Sequence, residues 1–115
     1  MRMSFEPSDA KEGALLARIE GTLDANAAIE LWEEMAAQVN ETTRFVVFDF
    51  SGVKILTSAG IGTLVRLFTR LKGYGGGLAV FGCTPKVCEI FDVVMLGGIL
   101  GVCDNATEAW NRLRG

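Results

Sequence analysis

Histidine is missing from this 115-residue chain, and with it the side chain that most often moves protons near neutral pH. With histidine absent and only three cysteines in the chain, a zinc site is not expected either. Cys83, Cys88 and Cys103 make an odd number in apolar surroundings and read as reduced, partly buried thiols of a cytoplasmic protein. Basic residues are outnumbered: 11 Lys and Arg face 14 Asp and Glu, a formal charge of −3. Nucleic acid rewards a clustered basic face, so it is not an expected partner. Arg66, Arg70 and Lys72 form the one notable basic cluster and read as a solvated helix face. No apolar run approaches the ~20 residues that span a bilayer. The opening MRMSFEPSDAKEG also lacks the apolar segment and cleavage site of a secretory signal. These absences point to a cytoplasmic protein with no metal, cofactor or membrane span.

What the chain has is apolar mass. Half its residues are hydrophobic and 22% are charged, which suits one packed domain over residues 1–115. MSFEP and ALLARIEG read as two strands joined by SDAKEG, a short connection that makes them an antiparallel pair. DANAAIELWEEMAAQV reads as a helix with Asp24 at its N-cap and with Ile29, Trp32, Met35, Ala36 and Val39 as its apolar stripe. RFVVFDFSG has the continuous apolar run of a central strand buried on both faces. A second helix follows TS, with Ile61, Leu64, Val65, Phe68 and Leu71 inward and Thr63, Arg66 and Arg70 opposite. GYGGG ends it. LAVFG is another buried strand, TPKVCEIFDVV a short helix with Pro85 in its first turn, GILGVCD a short edge strand and NATEAWNRL a closing helix. Strand and helix alternate from residue 14 onward. The predicted fold is therefore α/β: a mixed, mostly parallel sheet of four to five strands flanked by about four helices.

The junction TSAGIG, residues 57 to 62, carries the chemistry. The first four N–H groups of a helix lack intrahelical partners, and a hydroxyl there can accept from one of them. That would make Ser58 a cap. Gly60 and Gly62 do not fit a purely structural account, because each costs up to ~1 kcal/mol of helix propensity relative to Ala. Small residues at Ala59, Gly60 and Gly62 leave the helix start uncovered, open to another protein's surface. The same helix start favours an anion, so a phosphate of roughly −1.5 to −2 charges on Ser58 suits the fold. A partner docked over it would not tolerate that charge.

DFSGVKILTSAGIGTLVRL resembles the signature of bacterial anti-sigma factor antagonists, the STAS-domain proteins. In these a strand ending D-(L/F)-S-G-V leads to an S-(S/T/A)-G-(L/I) helix start. Upstream, IEGTLDANAA is similar to the family's G-x-L-D stretch, and downstream GGGLAVFGCTPKVCEIFDVVMLGGIL follows its strand, P-x-V-x-x-(I/L)-F helix and G-(L/I) segment. The resemblance implies that Ser58 is the phosphoacceptor and that Asp24, Thr57, Ala59, Gly60 and Gly62 lie on the partner-binding surface. It implies an anti-sigma factor or related switch kinase that binds the unphosphorylated form and uses ATP to end the complex, with a serine phosphatase to reset it. Many phosphorylated members carry Asp before the acceptor, where this chain has Thr57, itself a lesser candidate acceptor. The expected protein is a monomer when free and has no catalysis of its own.

Two other readings compete. In one, the domain is a docking subunit of a lipid-transport ABC complex or another assembly, with Ser58 never phosphorylated. In the other, Asp49 is the phosphoacceptor of a response-regulator receiver. A receiver also needs a pair of acids after its first strand to hold magnesium. Here Glu20 and Asp24 are separated, so Asp49 reads as a strand-end turn residue.

Overall fold

Residues 45–48, the most continuous apolar run, form the middle of the sheet. The computed structural model describes residues 1–9, 11–93 and 100–114. Along these run β1 (Arg2–Ser8), β2 (Ala14–Leu23), α1 (Ala25–Gln38), β3 (Phe45–Leu56), α2 (Ser58–Gly73), β4 (Gly77–Phe81), α3 (Pro85–Val93), β5 (Val102–Cys103) and α4 (Ala106–Arg114). The strands lie side by side in chain order, β1-β2-β3-β4-β5. β1 is antiparallel to β2, and every later neighbour is parallel. The fold class expected from the sequence is the one found: a single domain with a mixed, mostly parallel sheet, with five strands and four helices among the described residues.

Alternation along the strands splits the core in two. Leu15, Ala17, Ile19, Val46, Phe48, Phe50, Leu78 and Val80 face the larger cluster, shared with α1, α2 and α3. Phe48 and Phe50 meet edge to face at 5.8 Å between ring centroids, and Phe91 of α3 closes on Phe50. Truncating a fully buried Phe such as Phe48 costs about 3–5 kcal/mol. On the opposite face Ala14, Val47 and Ala79 pack beneath Ala109 and Trp110 of α4. α1 and α2 lie on one face because both close right-handed crossovers between neighbouring parallel strands.

Several local expectations need correction. The buried face of α1 is Ala27, Ala28, Leu31 and Met35; Ile29 is 60% exposed and Trp32 only half-buried. Small alanines let α1 approach its neighbours closely, and that rotates the larger Ile29 outward. Thr63 is buried, not solvated, and its hydroxyl donates to the Ala28 carbonyl of α1 at 3.5 Å. β3 continues through KIL to Leu56, so Asp49 lies inside a strand and not at its end. The pairing of β2 with β3 slips between Arg18 and Glu20 and again between Gly21 and Thr22, two bulges that let β3 outrun its partner. Ala10 of the SDAKEG connection, Val94 of the expected third helix and residues 98–99 of the expected last strand lie outside the described residues.

Candidate functional site

β2 and β3 end together, with Leu23 opposite Leu56, and each hands over directly to a helix. The two helix starts are bound to each other through one carbonyl. Leu23 O accepts from Thr57 N at 3.1 Å and from Thr57 Oγ1 at 2.8 Å. Asp24 and Ser58 therefore follow a shared anchor at the carboxyl end of the sheet, where open α/β sheets place their binding sites.

Each start is capped by its own side chain. Asp24 is exposed and its Oδ1 accepts from Ala27 N at 2.9 Å. At α2 the cap is Thr57, whose Oγ1 accepts from Gly60 N at 3.4 Å while donating to Leu23. This corrects the expectation that Ser58 caps: Ser58 is the first residue inside the helix. Its side chain is exposed and has no hydrogen-bond partner among the described residues. Thr57 therefore takes over the structural work and leaves the neighbouring hydroxyl to the solvent.

The two glycines that follow serve opposite ends. Gly60 is buried, and a Cβ there would stand 2.8 Å from Leu23 Cγ, 2.9 Å from Leu23 O and 3.0 Å from Leu56 Cδ1. It lets the helix settle onto the strand ends, so its expected place on an open surface is corrected to a packing role. Gly62 is exposed with nothing within 4 Å of a built Cβ, and Ala59 is half-buried. No acid stands in the first turn of α2, so nothing there offsets the positive end of its dipole. A group that accepts hydrogen bonds and carries negative charge suits this end of the helix.

Two exposed apolar side chains border the rim. Ile55, 50% exposed, lies near the end of β3, and Ile29 stands on the second turn of α1. Sequence reasoning missed both, because an isoleucine in a helix or strand pattern reads as core. Asp49 is held otherwise: its Oδ1 accepts from Ser51 N at 2.9 Å and Ser51 Oγ at 2.7 Å, and Oδ2 lies 3.7 Å from Arg18 Nε. All three cysteines are free and half-buried. Burial, reinforced by the neighbouring Cys88, pushes the Cys83 thiol up to about 12. Cys88 Sγ donates to the Cys83 carbonyl at 3.5 Å. Among the described residues no helix is long and apolar enough to cross a membrane.

A family model described as the STAS domain matches residues 8–109. BtrV of Bordetella bronchiseptica, named as a candidate anti-sigma factor antagonist, is 31% identical over 101 residues, which span 88% of this chain and 86% of that protein. The anti-sigma F factor antagonist of Paenibacillus polymyxa is 24% identical over 102 residues, 88% of this chain and 87% of that protein. Among solved structures, the anti-sigma factor antagonist SpoIIAA in its unphosphorylated form superposes with a TM-score of 0.79 at 20% identity, covering 97% of both chains. The phosphorylated form of this Bacillus cell-fate determinant superposes with a TM-score of 0.71 at 18% identity, over 96% of this chain and 100% of that one.

Proposed function

The chain belongs to the STAS-domain family, and on that premise we propose that it is an anti-sigma factor antagonist switched by phosphorylation of Ser58. Unphosphorylated, it binds an anti-sigma factor or related switch kinase over the rim formed by Asp24, Thr57, Ser58, Ala59 and Gly62, with Gly60 supporting from beneath. The kinase uses ATP to phosphorylate Ser58 and the complex ends; a serine phosphatase restores the hydroxyl. The domain supplies a substrate hydroxyl and a docking surface, while nucleotide, metal and base come from the partner. The free protein is a monomer in this reading.

One observation carries the proposal: the Ser58 hydroxyl is exposed and uncommitted at a helix start whose cap is another residue. Were Ser58 the cap, a phosphate would cost the helix its N-terminal hydrogen bond. With Thr57 in that role, phosphorylation leaves the cap intact and places an anion where the helix dipole favours one. A fold alone does not choose a function, and the non-phosphorylated docking role would use the same surface. The kinship with proteins named as anti-sigma factor antagonists favours the switch.

The test is incubation with each kinase of the histidine-kinase-like superfamily encoded near this chain's gene, with ATP and magnesium, followed by intact-mass analysis. Wild type gains one phosphoryl group and Ser58→Ala gains none. No gain with any of these kinases overturns the switch and leaves the docking role. A gain that persists in Ser58→Ala and vanishes in Thr57→Val moves the acceptor to Thr57.

A further inference from the structure

A groove of about 450 Å³ runs between α1 and α2, lined by Ala28, Ile29 and Trp32 on one side and Ala59, Thr63 and Arg66 on the other. It begins beside Ser58, since Ala59 is the next residue. Its composition is unlike that of a solvated helix face. Ile29 is 60% exposed at the groove. The Arg66 guanidinium stacks on the Trp32 ring at 4.1 Å from the centroid, and Arg70 stands over the same ring at 5.5 Å.

The two arginines are also electrostatically unmatched. Among the described residues neither has a carboxylate within ion-pair distance, although the chain carries 14 acids; Glu33 lines the groove without pairing with either. Arg70 Nε donates to the Tyr74 hydroxyl at 3.4 Å. A stacked guanidinium is held in place and keeps N–H donors for a bidentate carboxylate, so little side-chain freedom is lost when one arrives. Exposed apolar surface beside a positioned arginine is the composition from which interface centres are built.

We propose that this groove is a second anchor for the same partner, taking an apolar segment of the anti-sigma factor or switch kinase that carries a carboxylate for Arg66 and Arg70. The inference rests on the reading of the Ser58 rim as that partner's dock. It adds a contact that phosphorylation does not touch directly. Specificity for one partner among several related ones resides in the groove, while the on–off decision resides at Ser58.

The chain has two tryptophans, and their indole N–H resonances separate the outcomes. Trp110 of α4 is buried against the opposite face of the sheet and serves as an internal reference. Isotope-labelled full-length chain is titrated with each neighbouring-gene kinase homologue, with Trp32→Phe assigning the two signals. Expected are shifts of the Ser58 amide and the Trp32 indole with the Trp110 indole unmoved. Arg66→Glu then weakens binding at least roughly tenfold with an unchanged melting temperature, whereas Lys86→Glu, the same charge change on α3, does not. A Ser58 shift with Trp32 silent overturns the groove and leaves the switch standing. A Trp32 shift with Ser58 silent and Ser58→Glu still bound overturns the switch surface. Silence at both overturns both. A Trp32 shift that grows with the concentration of this chain alone assigns the groove to a second copy and overturns the proposal.

Discussion

α1 and α2 begin side by side, each after a parallel strand and each capped by an oxygen side chain, yet they differ in two respects. The cap of α1 is the carboxylate of Asp24, which brings its own negative charge to the helix start; the cap of α2 is the neutral hydroxyl of Thr57. One residue on, α1 has Ala25 and α2 has Ser58. So α1 is electrostatically complete as synthesised, and α2 is complete only as far as hydrogen bonding goes. The difference teaches why two such similar junctions in one molecule can have different fates: only α2 has both an uncompensated dipole and a free hydroxyl to which an anion can be attached.

The largest effect expected on the scaffold of this comparison lies at Gly60. Gly60→Ala puts a methyl group against Leu23 and Leu56, and overpacking of that kind costs about 1–3 kcal/mol. Gly62→Ala, one half-turn away in open space, raises stability by up to about 1 kcal/mol. Denaturant titration of the two variants checks the opposite signs; equal losses would mean that the helix start is packed all round.

The caps come next. Asp24→Ala and Thr57→Ala each lose a helix cap, with an expected cost of about 1 kcal/mol. Ser58→Ala, adjacent to a cap but not one, falls within about 0.5 kcal/mol of wild type. Equal destabilisation by Thr57→Ala and Ser58→Ala in thermal melts would return the capping role to Ser58 and break the comparison.

The effect that vanishes at neutral pH is far from both junctions and appears only in alkali. Because burial raises the Cys83 thiol from 9.0 to about 12, the folded chain holds that proton more tightly than the unfolded one. The stability this contributes is fully present below pH 9.0 and is lost as the pH climbs towards about 12. Melting temperatures of wild type and Cys83→Ala, followed from about pH 8 to about pH 11, therefore fall more steeply for wild type. Parallel curves would place the thiol in solvent.

Fold class and strand pairing were legible because their signals are redundant. The apolar run at 45–48, the short connection between the first strands and the alternation after residue 14 all demand the same sheet. The Ser58 junction was legible as a place but not in its division of labour. Thr57 and Ser58 are both hydroxyls in sequence, and only the carbonyl of Leu23, 34 residues away, selects Thr57 as the cap. The rotation of α1 was hidden for a related reason. Ala27 and Ala28 say little about which face is buried, so the eye follows Ile29 and Trp32, which packing turns outward. The Arg66–Trp32 stack joins two helices across a groove, and neither helix's periodicity carries that information.

The central claim is that charge at Ser58 disturbs a partner without disturbing the fold, and Ser58→Glu separates these two in one variant. Affinity for the switch kinase, by titration calorimetry, and unfolding free energy, by denaturant titration, are to be measured on the same preparation. The account predicts an affinity lower by up to about a thousandfold with stability equal to wild type or higher by less than about 1 kcal/mol. Binding as tight as wild type, or weakened binding that merely tracks a loss of folding, would contradict it.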